Sequence, residues 1–200
     1  MIFQRNPILI IVFFLASYHT FAQSENKLSK TVGMVSVNYF QAVNFGNNAL
    51  NKAYNFQHGV AIEINSKTYK KIFLGFGYNQ SKYEVTNREL VGEFARANHV
   101  SFCVNAIVPI DVTKNLSISP QIAFGISYLN AKKTGTDIKN QNGLESKIGS
   151  KIVYELGNDY GILFTVHYAI NKFSVVSNPE IKSFYNQSHS INFGLGFIFF

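Results

Sequence analysis

Apolar and polar residues alternate along this chain over windows of strand length. The cleanest window runs from Leu116 to Tyr128. Leu116, Ile118, Pro120, Ile122, Phe124, Ile126 and Tyr128 share one face, and Ser117, Ser119, Gln121, Ala123, Gly125 and Ser127 share the other. A second window sets Tyr160, Ile162, Phe164, Val166, Tyr168 and Ile170 against Gly161, Leu163, Thr165, His167 and Ala169. A period of two predicts β-strands with one apolar face. Six more segments fit the template: Val35 to Tyr39, Phe56 to Asn65, Ile72 to Asn79, His99 to Val108, Ile148 to Leu156, and Ile191 to Phe199. Pro120 cannot donate to a ladder and predicts a local irregularity in its strand.

The count is about eight strands, many of them close to the roughly 9–11 residues that a tilted strand needs to cross a bilayer. The connections alternate in length. Gln41 to Asn55, Gln80 to Asn98, Leu129 to Lys147 and Lys172 to Ser188 are long. Ser66 to Lys71, Pro109 to Asn115 and Gly157 to Asp159 are short. Outer-membrane barrels have long extracellular loops and short periplasmic turns. The segment INFGLGFIFF, Ile191 to Phe200, points the same way. A flat apolar edge invites aggregation in water, whereas a closed barrel has no edge and its apolar face meets lipid. The expected fold is therefore all-β: an eight-stranded antiparallel transmembrane β-barrel with an up-and-down meander, located in the bacterial outer membrane. Aromatic rings favour the headgroup level. Tyr39, Phe56, Tyr78, Tyr128 and Tyr168 are expected at the outer strand ends, and Tyr154, Tyr160 and Phe199 at the inner ends.

The first residues, MIFQRNPILIIVFFLASYHTFAQ, change the picture of processing. Arg5, the apolar run from Ile8 to Ala16 and the Thr20-Phe21-Ala22 site have the anatomy of a secretory signal peptide. The run is shorter than the roughly 20 residues of a membrane-spanning helix. The expected division is a signal peptide over 1–22 and a barrel domain over 23–200. Cys103 is the only cysteine, so an intramolecular disulfide and a cysteine-based zinc site are excluded. The net charge is +7, with charged residues at 14% of the chain. For an exported protein this suits phosphorylated lipid headgroups better than nucleic acid, which is not expected as a partner.

Signal peptide, eight alternating strands, long and short connections and an aromatic closing strand together resemble the small outer-membrane β-barrel proteins of Gram-negative bacteria, a set with OmpX-like, OmpA-barrel-like and PorT-like members. Phe21-Ala22-Gln23 and Gly194-Leu195-Gly196-Phe197 look most like the PorT-like group. The resemblance covers Lys30 to Phe200 and is one of pattern. It implies that the final strand carries an assembly signal in Phe193, Leu195, Phe197 and Phe199, with the barrel-assembly machinery as a transient partner.

An eight-stranded barrel is filled by its own side chains. The inward polar residues are expected to be Gln57, Glu63, Asn65, His99, Asn105, Gln121, Lys151, Glu155 and His167. Glu63, His99, Gln121, Lys151, Glu155 and His167 form the candidate interior network. One reading is a plug of ion pairs and hydrogen bonds. The other is a gated ion path or a catalytic carboxylate. Some small barrels are lipid A deacylases, with His and Ser two apart on a strand and a Glu near the C-terminus. Here His189 and Ser190 are adjacent and face opposite ways, and no Glu follows Glu180. No catalytic residue, cofactor or metal site is expected.

Loops over a rigid scaffold are where function sits. Lys132, Lys133, Lys139 and Lys147, against Asp137 and Glu145, mark the third long loop as a candidate contact for lipopolysaccharide phosphates, with Lys132, Lys133 and Lys139 as its core. The fourth loop, Phe173 to Tyr185, is apolar at Val175, Val176, Ile181, Phe184 and Tyr185. It forms either a contact patch or an extension of its flanking strands. The expected role is structural or interactive and non-enzymatic, in a monomer whose extracellular loops meet an extracellular or envelope protein. A narrow solute channel and a lipid A-modifying enzyme are the alternatives.

Overall fold

The computed structural model describes residues 31–133, 138–157, 159–175 and 178–200. The expected signal peptide lies outside them. Eight long strands follow one another: β1 Gly33–Phe45, β2 Tyr54–Tyr69, β3 Ile72–Val85, β4 Phe94–Ile107, β5 Leu116–Lys133, β6 Ile138–Glu155, β7 Tyr160–Phe173 and β8 Gln187–Phe199. Each pairs antiparallel with its sequence neighbours. β1 then pairs β8 from Val35↔Phe199 to Phe45↔His189, which closes the sheet. A two-residue bridge, Ile110–Asp111, pairs with β5 within the β4–β5 turn. Three helices lie in connections on the opposite side: α1 Ala49–Ala53, α2 Arg88–Val91 and α3 Pro179–Asn186.

The pleat sorts the side chains as the alternation predicts. Val35, Val37, Ile62, Ile64, Leu74, Phe102, Val104, Phe124, Ile148 and Phe164 all face outward and are exposed. So are Phe193, Leu195, Phe197 and Phe199 of β8. Phe76 is 73% exposed and Leu195 62%. A belt of this size is untenable in water and is the surface a bilayer solvates. The strands that carry this belt make the crossing; among the described residues no helix is long and apolar enough to span a membrane.

Four sequence expectations change. The strands run further outward than the hydrophobic alternation does, so the long connections shorten. The third shrinks most: β5 continues to Lys133 and β6 resumes at Ile138, which removes Leu129 to Lys147 as a loop. The fourth loop does not extend its strands; it folds into α3, with Pro179 in the first turn. Gln57 is exposed and Phe56 is buried inside, because a bulge between Phe56 and His58 shifts the pleat by one residue. Phe56 therefore leaves the outer aromatic row. Finally, Pro120 causes no break between β5 and β6. Its carbonyl accepts from the Val108 N–H, beyond the last β4–β5 pair. Nitrogen and carbonyl of one strand residue point the same way, so the missing N–H faces a ladder that has already ended.

The register fixes the barrel's size. Val37 lies opposite Ile62, then Tyr78, Phe102, Ile126, Leu144, Lys172 and Gln187 in turn. Since His189 faces Phe45, Gln187 falls opposite residue 47, ten residues up β1 from the starting point. A stagger of ten over eight strands spaced ~4.8 Å apart tilts the strands by about 40°. Such a narrow, coiled sheet brings some inward positions against neighbouring backbone. A Cβ at Gly125 would overlap the Phe102 carbonyl, and one at Gly149 the Val166 carbonyl. We expect Gly125→Val to cut the fraction of chain that refolds in detergent to a heat-modifiable barrel at least severalfold. Ser127→Ala, on the same face, should refold as the parent does; equal yields for Gly125→Val would remove the close-approach argument.

Candidate functional site

The barrel interior is built in four layers. The lowest is apolar: Met34, Phe73, Ile107, Val153, Leu163 and Ile198 pack together across the end that carries the short turns. Above it, inward residues of several strands meet on one carboxylate. Glu63 Oε2 receives Lys151 Nζ at 2.7 Å, Gln121 Nε2 at 2.8 Å and Asn105 Nδ2 at 3.0 Å. Lys151 Nζ also reaches Ser36 Oγ at 3.5 Å. Gln121 spends its amide N–H on Glu63, so its carbonyl oxygen turns to His167 Nε2 at 2.8 Å. His167 must therefore donate from Nε2. Asn38 Nδ2 donates to Thr165 Oγ1 at 3.1 Å in the same belt.

A second belt follows, which the sequence reading placed outside the barrel. Glu145 Oε2 pairs Lys147 Nζ at 3.0 Å and accepts from Cys103 Sγ at 3.3 Å. Asn79 Nδ2 donates to Ser101 Oγ at 3.1 Å beside it. Glu145 and Lys147 were expected as loop charges; both lie inside β6, in line with Lys151. The signal was present in Leu144, Ser146 and Ile148, whose alternation with Glu145 and Lys147 continues the strand. Between the belts is a cavity of about 30 Å³ lined by Asn105, Gln121, Lys147 and Asn192 among others. It has room for one or two waters bonded to Asn105 Oδ1 and Asn192 Oδ1, which have no protein partner. The top layer is apolar again: Phe40, Phe56, Tyr83, Leu129 and Phe173 with small residues between them.

The structure thus brings Glu63, Gln121, Lys151 and His167 together. His99 belongs to the upper part, edge-on to Phe173 at 6.0 Å between ring centroids. Glu155 is buried two inward positions below Lys151, past Val153 at the lower apolar layer. Cys103 is buried. His189 and Ser190 do face opposite ways. His189 stacks on Tyr168 outside the barrel, with Nδ1 2.8 Å from the Tyr168 hydroxyl, and Ser190 is buried.

The outer face changes character in register above the lipid belt. Between β4 and β5 the paired outward residues read Val104↔Phe124, Phe102↔Ile126, Val100↔Tyr128, Asn98↔Asn130 and Arg96↔Lys132. Arg96, Lys132 and the nearby Lys82 are exposed. Glu84 lies opposite Arg96 on β3. Like charges placed opposite each other repel; Glu84 offsets only one of the three cations, so the Lys82, Arg96 and Lys132 face stays net positive and suits an anion. Lys133 and Lys139 sit in β5 and β6, but their side chains lie outside the described residues, as does Val176.

The architecture is similar to that of several solved barrels. Neisserial surface protein A aligns with a TM-score of 0.54 at 11% identity, covering 84% of this chain and 96% of that one. The N-terminal β-barrel domain of Pseudomonas aeruginosa OprF aligns at 0.44 and 13% identity, over 83% and 97% of the two chains. Ail, the attachment invasion locus protein of Yersinia pestis, aligns at 0.46 and 10% identity, over 84% and 97%. No protein-family model and no curated protein matches the chain. The fold is that of the small outer-membrane β-barrels, and it is carried by architecture at identities too low to carry a role.

Lys151→Met should leave the Glu63 carboxylate buried without its countercharge. Breaking a buried pair from one side costs about 3–5 kcal/mol. Urea unfolding in detergent should register a loss of that order, and Glu63→Gln in the same chain should restore at least half of it. A single substitution with no effect on the midpoint would remove Lys151 from the fold's support.

Proposed function

We propose that this outer-membrane barrel is a non-enzymatic scaffold that holds its surface loops in the lipopolysaccharide leaflet for contact with an extracellular or envelope protein. The observation that carries the reading is the sealed interior. Two apolar layers close the two ends, and each charged belt between them is internally paired. An ion crossing would have to displace Phe73, Ile107 and Leu163 below and Phe40, Phe56 and Phe173 above. The arrangement of His189 and Ser190 supports a non-enzymatic role, and among the described residues no cluster of His, Cys, Asp or Glu could hold a metal.

What the scaffold presents is ordered. α1, α2 and α3 lie over the mouth, and the Tyr185 hydroxyl donates to the Leu90 carbonyl at 2.8 Å, joining the fourth loop to the second. Below them, Arg96, Lys132 and Lys82 occupy the level just above the last lipid-facing residues. Charge-assisted hydrogen bonds from these groups suit lipid A phosphates. This moves the lipopolysaccharide contact from a loop to the outer wall of β3, β4 and β5. The outward row Phe193, Leu195, Phe197 and Phe199 is the surface we assign to transient contact with the barrel-assembly machinery.

Four measurements test the reading. Planar bilayers with the purified barrel should show no stable single-channel steps; steps abolished by Lys151→Met would make it a channel. Cross-linking on intact cells should attach one dominant protein to the surface lysines, and an altered lipid A mass spectrum on expression would instead indicate an enzyme. Added lipopolysaccharide should raise the melting temperature of the barrel in detergent. Arg96→Glu with Lys132→Glu should abolish most of that rise, and an undiminished rise would exclude the β4–β5 wall as the contact.

A further inference from the structure

The loop helices enclose a cavity that neither the scaffold role nor the lipid contact uses. It has a volume of about 230 Å³ and lies between the upper apolar layer and the three helices. Leu129, Ala131 and Phe173 line it from the barrel, and Leu50, Val91 and Ile181 from α1, α2 and α3 respectively. The three helical connections contribute, and so do strand residues of all four outer hairpins, Leu129, Ala131 and Gln141 among them, which is how a binding site is built and not how a stray surface dent arises.

Three features define what it would hold. The first is size. An apolar cavity of about 150 Å³ accommodates benzene, so this one has room for about ten non-hydrogen atoms. The second is charge: among the described residues no Asp, Glu, Lys, Arg or His lines the cavity. A charged ligand would lose its hydration there and gain no partner. The third is an unused hydrogen-bonding group. Ser188 lines the cavity, is 2% exposed, and its Oγ has no hydrogen-bond partner in the protein. A buried hydroxyl left unpaired is costly, and a ligand hydroxyl or carbonyl would satisfy it. Gln141 and Gln187 add amide groups to the same wall.

We propose that this mouth cavity is a binding site for a small, uncharged, mainly apolar molecule, an aromatic or short acyl group bearing one hydroxyl or carbonyl, held by the Leu50, Val91, Ile181 and Phe173 walls and bonded to Ser188 Oγ. Because α1, α2 and α3 each supply a wall, occupancy would tie the three helices together and set the shape of the loop surface seen from outside.

The test uses the full barrel in lipid nanodiscs with labelled Leu, Ile and Val methyls, and three probes: p-cresol, toluene and 4-methylbenzoate. p-Cresol should shift the methyls of Leu50, Val91 and Ile181 saturably. Toluene should bind at least fivefold more weakly, and 4-methylbenzoate should not saturate. Ser188→Ala breaks no bond in the fold and should keep the parent melting temperature. It should weaken p-cresol at least fivefold, the size of one hydrogen bond, and leave toluene within twofold. Leu50→Trp should fill the cavity and abolish both. Shifts that grow without saturation and fall equally on lipid-facing Ile122 and Leu195 would mean partition into the bilayer and would overturn the proposal. So would a Ser188→Ala barrel that binds p-cresol like the parent.

Discussion

Closure of the hydrogen-bond ladder between β1 and β8 is the constraint on which the rest of this molecule depends. Lipid offers no partner to a backbone N–H or C=O, so an open sheet edge within the bilayer would leave a row of unpaired groups. Pairing from Val35↔Phe199 to Phe45↔His189 removes that edge. It also fixes the stagger at ten residues over eight strands, and with it the tilt and the interior width. The outward face follows at once: residues there meet lipid, and they are Val, Ile, Leu and Phe. The inward face has to fill a narrow, fixed volume. Glycine at 125 and 149 is what that volume demands where one strand's inward side comes against its neighbour's backbone.

The filling obeys a second constraint, electrical balance without water. A lysine inside such a space is tolerable only against a carboxylate, and each of the two buried lysines has one. Lys151 meets Glu63 across the barrel, and Lys147 meets Glu145 on its own strand. The two solutions differ in geometry. Glu63 is the hub of a cross-barrel web that includes Gln121, Asn105 and, through Gln121, His167. Glu145 is served by its near neighbours. The first pair therefore ties distant strands together, whereas the second mostly neutralises itself. Apolar layers above and below shield both from water, which strengthens the pairs.

How much of this was legible in the sequence follows from where hydrophobic contrast exists. Within the bilayer one face must be apolar, so alternation marks the strands and gives the strand number, the order and the lipid-facing residues. Above the bilayer the outward face is wet, while the inward face stays packed with Ala97, Leu129 and Ala131. Val100 gives way to Asn98 and Arg96, and Tyr128 to Asn130 and Lys132, while the ladder runs on unchanged. The outward apolar row ends there although the strand does not. Glu145 and Lys147 read as loop charges because Ser146 interrupts the outward apolar row between Leu144 and Ile148, and the third connection therefore read as long. The bulge at Phe56 was illegible for a different reason: Phe56 and His58 fit an outward row as well as an inward one, and only the register with Tyr83 and Lys82 decides. Glu63, Lys151, Gln121 and His167 were legible as inward residues. Their meeting on one oxygen depends on the stagger, which no single strand encodes.

The outer connections show what a closed barrel leaves free to vary. Their lengths are not set by the sheet, yet three of them fold into short helices whose apolar residues turn back toward the mouth. Leu50 is buried in the same cluster as Phe40 and Phe173, so α1 is an extension of the top layer. Val175 packs against that cluster too, which places the start of the fourth connection on it. The loops are thus part of the core at their underside and solvated on their outer side. A surface built this way keeps a defined shape without help from the membrane. Its outer residues can change freely as long as Leu50, Phe94 and Phe173 keep the underside packed. A closed wall, a packed interior and an upper surface anchored on the core are the features on which the proposed scaffold role rests.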